Sequence, residues 1–354
     1  MANLRLSAAI RLPYGLAGNI LWRVLTESSM ESREMKDLAK FSDLPYIGQT
    51  GERNAWNAFG PGDQLGTVNL LGADQVKQAS LLVRTGKVIN LNLPLNYPIT
   101  LYEMPARSGY KHHIEVSRAG RDDYLDNFAM QGSTQWDSLR HIRFREFGYY
   151  GGRQDQDLDQ KNELGIEHWA RHGIIGRGIL LDAERCLKEH GSLLSMTEKL
   201  SIGGHLLEEI ANRERVDFRA GDILLLRTGW MAWYKALDAG SREKLRGTLH
   251  PDPGGLRCPG LDATQATAAW LWDHRIAAIA ADNPAVEALP VAPQPGFQHR
   301  RLIALQGMPL GELWDLDELA LDCNSDGIYE FMLVSAPLYL PGGVGSPANA
   351  YAIK

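Results

Sequence analysis

Asp222-Ile223-Leu224-Leu225-Leu226-Arg227-Thr228 sets four consecutive apolar residues between an acid and a base. So short and so apolar a run reads as a strand buried on both faces, which requires helices on both sides of its sheet. Upstream, Ile174 to Leu181, interrupted by Gly176-Arg177-Gly178 and ended by Asp182, reads as a second core strand. Downstream, Asp262 with Gln265 three residues on makes a capping box for a helix running to about His274. Ile276 to Ala281 follows as a strand that ends in the polar loop Asp282-Asn283-Pro284. Strand, helix, strand in this order specifies a mixed α/β body. Val88 to Leu93 alternates apolar and polar residues, as a half-buried strand does.

At 354 residues the chain is long enough for about two domains or one large one. The connections between the expected elements are short, which favours one catalytic domain, residues 51–354, behind an N-terminal arm, residues 1–50. The turn Phe59-Gly60-Pro61-Gly62-Asp63 marks the start of the compact body near Trp56. In the arm, Leu16, Ile20, Leu21, Val24 and Leu25 share one helical face, so a helical arm that packs on a neighbouring subunit is expected.

A net charge of -6, from 37 Lys+Arg against 43 Asp+Glu, with no basic stripe, argues against a nucleic-acid partner. The longest uncharged run, Phe331 to Ile353, carries Pro337, Pro341 and Pro347 and does not suit a bilayer helix. Cys186, Cys258 and Cys323 lie far apart, in odd number and in no metal-ligand spacing. Reduced structural thiols in a cytoplasmic, soluble protein are the expectation.

Gly-x-Ser-x-Gly, a P-loop and His-Glu-x-x-His are all missing from the sequence. The densest polar cluster is Gln131-Gly132-Ser133-Thr134-Gln135-Trp136-Asp137-Ser138-Leu139-Arg140-His141. Asp137 and His141, four apart, converge if the segment is a helix or a turn entering one. That pair suits a divalent metal, or an acid/base couple in which the Asp orients the His; a surface Asp–His pair is the plain alternative. Trp56, Phe59, Trp136 and Trp169 could wall a pocket or fill a core. Tyr149-Tyr150 follows the cluster and could line the same pocket. His168 and His172, at i,i+4, read as helix packing. Arg177 could hold a substrate carboxylate or a buried ion pair.

With its surroundings, this segment resembles the cyclase / kynurenine formamidase-like family of metal-dependent hydrolases, whose pattern is His-x-Gly-Thr-His-x-Asp-x-Pro-x-His. On this chain the first His falls on Gln131, the Gly on Ser133, the Thr on Thr134 and the second His on Gln135. The Asp falls on Asp137, the Pro on Leu139 and the last His on His141. Asp63 to Asn69, Gly173 to Gly178, Gly221 to Trp230 and Ser346 to Ala350 resemble the same family, so the resemblance spans roughly residues 56–354. It implies a swivelling β/β/α fold with a barrel-like mixed sheet flanked by helices, and a homodimer or homotetramer. It also implies that His299 assists proton transfer and that Glu312, in Gly307 to Leu313, approaches the metal.

Two family histidines are glutamines here, as in a distinct branch of the family. An amide oxygen is a weaker donor than imidazole for late metals. The implied ligand set is Gln131, Gln135, Asp137, His141 and Glu312, around manganese or magnesium in preference to zinc, or around no metal at all. The catalytic groups are His299, His141 and Asp137, with His299 a neutral base near its ordinary pKa of about 6.5. The expected reaction is hydrolysis of an amide, imide or lactone bond in a small non-peptide substrate by activated water. The alternatives are a metal-independent cyclase, dehydratase or isomerase using His141 and His299, and a non-catalytic small-molecule binder. Loops 101–127 and 143–165 are expected to set specificity.

Overall fold

The computed structural model describes residues 38–98, 101, 109–192, 194–249, 254–291 and 296–354. The apolar face of the arm and the expected packing of residues 1–30 on a neighbouring subunit lie outside the described residues. In chain order the strands are β1 (Val88–Asn90), β2 (Lys111–Val116), β3 (Arg121–Asp126), β4 (Gln135–Asp137), β5 (Ile174–Asp182), β6 (Ser201–Ile202) and β7 (Ile223–Arg227). They continue as β8 (Gly260–Leu261), β9 (Ala278–Ala281), β10 (Leu310–Glu312), β11 (Glu330–Ser335), β12 (Gly345–Pro347) and β13 (Ala350–Ile353). Nine of them form one sheet in the order β1-β13-β11-β5-β7-β9-β10-β4-β12, curled into a half-barrel and flanked by helices.

The centre of the sheet follows from its composition. β5, β7, β9 and β10 run parallel, and Ile223 to Leu226 are fully buried, as a strand covered on both faces must be. Toward one edge β11, β13 and β1 are antiparallel. There Val88 and Asn90 are exposed and Ile89 is buried, the alternation of a half-covered strand. The helices that matter below are α1 (Ala183–Glu189), α2 (Gly204–Glu214) and α3 (Gln265–Asp273). α3 is capped by Thr264, whose side chain accepts from Thr267 N, and not by Asp262 as expected. Asp262 instead accepts from the hydroxyls of Thr264 and Thr267, so it supports the cap from two residues farther out.

Residues 39–50, placed with the arm in the sequence reading, belong to the body. Phe41, Leu44 and Ala55 pack with Trp272, Phe41 N donates to Asp273 Oδ1 at 2.7 Å, and Trp272 Nε1 donates to Ala39 O at 3.0 Å. The weak periodicity of that segment hid it, because it packs as loop and single turns.

Several candidates resolve as structure. Arg177 meets Asp222 at 2.7 Å and Glu330 at 3.0 Å, a buried ion cluster and not a substrate clamp. Burial pushes the Asp222 carboxyl up to about 6, with Arg177 pulling the other way. Trp136 and Trp169 are core residues, and Trp56, Trp136 and Trp169 hydrogen-bond to Ala304 O, Ser335 Oγ and Leu65 O. Tyr150 is buried against Asp63, at 3.0 Å. Of the loop 101–127 expected to set specificity, the described residues contain an exposed hairpin, β2–β3. All three cysteines are free and buried.

Candidate active site

Three acidic or amide side chains reach one face of the sheet because of strand register. In β4, Gln135 and Asp137 are two apart and so point the same way. β10 pairs antiparallel with β4, with Glu312 opposite Gln135 and Leu310 opposite Asp137. Directly opposed residues share a face, which places Gln135, Asp137 and Glu312 together. Asp137 and His141 therefore do not converge through a helix, as the spacing suggested; a strand end and a turn bring them together, with His141 Nε2 3.7 Å from Asp137 Oδ2. On the opposite face Gly311 leaves room for Trp136 and Trp314: a Cβ there would lie 2.6 Å from Trp314 Nε1 and 3.0 Å from Trp136 Cζ3.

His299 arrives from a different element. It precedes a π-helical segment, Arg300–Gln306, and is buried, with its ring stacked on Phe297 at 4.7 Å. Its Nδ1 is 2.5 Å from Glu287 Oε1, and its Nε2 is 3.0 Å from Glu312 Oε1 and 3.9 Å from Asp137 Oδ2. Glu287 is itself fixed by the backbone N–H groups of Gln298 and His299, at 3.0 and 3.2 Å. Burial alone would depress the imidazole pKa, but hydrogen bonds to Glu287 and Glu312 outweigh it and push His299 up to about 10. The expected neutral base near 6.5 is thus corrected: in this arrangement His299 is an imidazolium held between carboxylates.

The glutamines differ from each other. Gln135 donates Nε2 to Glu312 Oε2 and leaves Oε1 buried without a partner. Gln131 donates Nε2 to Asp137 Oδ1 and contacts His141 Nδ1 at 3.1 Å, so it bridges the Asp and the His and offers the site a donor, not a ligand oxygen. A Cβ on Gly345 would fall 2.7 Å from Gln131 Cγ, so glycine there makes the space for this bridge. Because Gln131 donates to Nδ1, the proton of a neutral His141 sits on Nε2, the edge nearer Asp137.

Asp137, His299 and Glu312 form one group in which one ligand atom from each lies within 4.8 Å of the others, all three residues buried. Asp137 Oδ2, like Gln135 Oε1, is a buried acceptor with no donor. Two such acceptors beside three buried carboxylates (Asp137, Glu287, Glu312) and one imidazolium leave an excess of negative charge in the interior. Oxygen donors with a single imidazole fit a hard divalent cation of the manganese or magnesium type. Of the five expected ligands, Asp137, Gln135 and Glu312 converge on this seat, while Gln131 and His141 flank it.

Sequence reasoning passed over Glu287. Its signal was an acid inside the apolar run Ala285-Val286-Glu287-Ala288-Leu289, a position that demands a partner. Both site glutamates also adjoin non-glycine residues of positive φ, Val286 at 55° and Leu313 at 57°, local strain that fixes where each carboxylate points.

The model of the Cyclase family matches residues 89–288, more than half of the chain. The chain belongs to the cyclase family. A solved structure described as a novel cyclase is 32% identical, covering 85% of this chain and 99% of that chain, with a TM-score of 0.72. An isatin hydrolase bound to the product analogue thioisatinate is 18% identical, covering 78% of this chain and 94% of that chain, with a TM-score of 0.53. Isatin hydrolase A from Labrenzia aggregata, bound to benzyl benzoate, is 16% identical and covers 77% of this chain and 94% of that chain, with a TM-score of 0.53. At these identities the hydrolases share the cyclase fold with this chain. No curated protein sequence matches it. Among the described residues no helix is long and apolar enough to cross a membrane.

Proposed function

We propose that this cyclase-family protein is a hydrolase that opens a C–N or C–O acyl bond of a small non-peptide amide, imide or lactone. The observation that carries the reading is the pair of unpartnered buried oxygens, Asp137 Oδ2 and Gln135 Oε1, beside His299 and Glu312. Those four residues would hold a divalent cation, His299 only after giving up its Nε2 proton to it; the cation would lower the pKa of water and polarise the substrate carbonyl. Two solved structures of the same fold are named isatin hydrolases, which supports a cyclic amide-type substrate.

The chain's own groups divide the proton work. Glu287 anchors His299 through Nδ1, so that Nε2 is aimed at the Asp137–Glu312 pair; a carboxylate behind a ligand histidine fixes its ring and raises its basicity. Glu312 has a carboxylate oxygen for the proton of the attacking water, with His299 in contact to share the charge. His141, whose side chain is 21% exposed, is the most open of these groups and carries its proton on Nε2. It would relay to the leaving nitrogen or oxygen the water proton that Glu312 takes up, so that both carboxylate and imidazole return to their starting states. Asp137 holds the group together through Gln131 on one oxygen and the seat on the other.

A second reading rests on the amides. Gln131 and Gln135 donate to Asp137 and Glu312, which partly satisfies both carboxylates without a cation. His299 and His141 would then act alone as acid and base in a cyclisation, dehydration or isomerisation.

The test is proton release by chelator-treated and manganese-reconstituted protein over a panel of small imides, lactones, aryl lactams and formanilides, whose hydrolysis frees a net proton. Manganese-dependent acid production supports the hydrolase. Turnover that is indifferent to chelation and yields no acid supports the second reading. No turnover on any carbonyl substrate overturns both.

A further inference from the structure

A second group of ligand-type side chains stands apart from β4, β10 and the His299 turn. Cys186 lies in α1, and His190 follows the end of that helix four residues later, so both lie on one side of it. Glu209 comes from α2, which packs alongside. One ligand atom from each of the three lies within 4.8 Å of the others. His190 Nε2 and Glu209 Oε1 are 3.3 Å apart. Two ligands at about 2.0–2.1 Å from a tetrahedral zinc are separated by roughly 3.3 Å, so this edge already has the spacing of a coordinated pair.

The group already attracts a cation from within the chain. Arg213, one turn past Glu209 on α2, hydrogen-bonds His190 Nε2 and lies 3.8 Å from Glu209 and 3.9 Å from Glu189. Its guanidinium thus sits where the lone pair of His190 and two carboxylates meet. A cavity of about 280 Å³ lined by Cys186, Glu189 and Arg213 gives an ion a path to the buried sulfur. Burial pushes the Cys186 thiol up, with Arg213 pulling the other way.

We propose that Cys186, His190 and Glu209 form a site for a zinc-class divalent cation, with Arg213 as the internal cation that the metal displaces. A thiolate, an imidazole and a carboxylate on two adjacent helices are a donor set for zinc or cobalt and unlike the oxygen-rich seat at Asp137. Water or Glu189, which lines the cavity beside Cys186, would complete the coordination. Metal there would clamp α1 to α2.

Cobalt(II), titrated alone into chelator-treated full-length protein, tests this directly, because a thiolate ligand gives a near-ultraviolet charge-transfer band that oxygen and nitrogen ligands do not. One equivalent of cobalt should give that band, and zinc should bleach it. Cys186→Ser should abolish the band, and His190→Ala should weaken binding by about tenfold or more. Arg213→Ala should tighten binding by about tenfold, the reverse of what a merely structural arginine would do. His190 and Arg213 are surface residues, so these two variants keep the fold, which circular dichroism verifies. Asp137→Asn should leave the band unchanged, so failure here is separable from failure of the hydrolase reading. No band in the wild type, a band that survives Cys186→Ser, or weaker binding in Arg213→Ala would overturn the proposal.

Discussion

His299 Nδ1 and Glu287 Oε1 meet at 2.5 Å, both side chains buried, and Glu287 in turn is held by two backbone N–H groups at the start of the His299 turn. The imidazole therefore has one orientation, fixed from behind, and its other nitrogen has one direction to work in. The position of Nε2 beside Glu312 and Asp137 is a consequence of this anchor more than of His299 itself.

We predict that Glu287→Gln lowers kcat/KM by roughly 10–100-fold with the fold retained, the usual cost of losing the outer partner of a ligand histidine. The imidazole pKa of His299, followed by NMR in chelator-treated protein, should move down from about 10, since Glu287 is one of the two groups that raise it. Unchanged rate and unchanged titration would show that the contact is only packing.

Asp137→Ala should abolish turnover, at a cost on the order of 3–5 kcal/mol in the barrier, while circular dichroism stays native. Asp137 is the residue that faces His141, His299 and Gln131 at once. Retained turnover in a folded variant would place the chemistry elsewhere.

The glutamines predict metal preference. With amide oxygen in place of imidazole, purified protein should bind manganese or magnesium more readily than it binds zinc at this seat. The double change Gln131→His and Gln135→His should raise zinc affinity there sharply, measured by competition with a chromogenic chelator in a Cys186→Ser background. Equal zinc affinity before and after would mean that neither position faces the ion.

The pH dependence of stability tests a different part of the fold. Glu214 ends α2 with Oε2 buried and unpartnered, and burial pushes its carboxyl up to about 8. Between the unfolded value near 4.5 and about 8, the folded protein keeps a proton that the unfolded chain releases. Stability from this group is therefore full below pH 4.5 and falls as pH rises toward 8, by up to ~1.4 kcal/mol per pH unit. Glu214→Gln should flatten that fall in urea unfolding at pH 5 and pH 8; an identical loss in both proteins would contradict it.

The core strands were legible because their signal is local: four apolar residues in a row at Ile223 to Leu226 need no partner to be recognised. The cluster Gln131 to His141 was legible through its frame, and Asp137, Gln135 and Glu312 do meet. What joins them is register between β4 and β10, strands separated by more than 170 residues, which spacing along the chain cannot convey. The same holds for Glu287, twelve residues before the histidine it anchors, and for the turn that carries His141 back to Asp137. The charge state of His299 was read wrongly because an unperturbed pKa takes no account of two glutamates that only folding brings near.

The central claim is that two orphaned oxygens, Asp137 Oδ2 and Gln135 Oε1, wait on a divalent cation beside His299 and Glu312. Anomalous diffraction at the manganese edge, on crystals of chelator-treated protein soaked in manganese, measures it most directly. The predicted result is one strong peak within about 2.0–2.6 Å of those two oxygens, bonded also to Glu312 or His299, and lost in Asp137→Asn. No peak at saturating manganese, or a peak that leaves both oxygens uncoordinated, would contradict it.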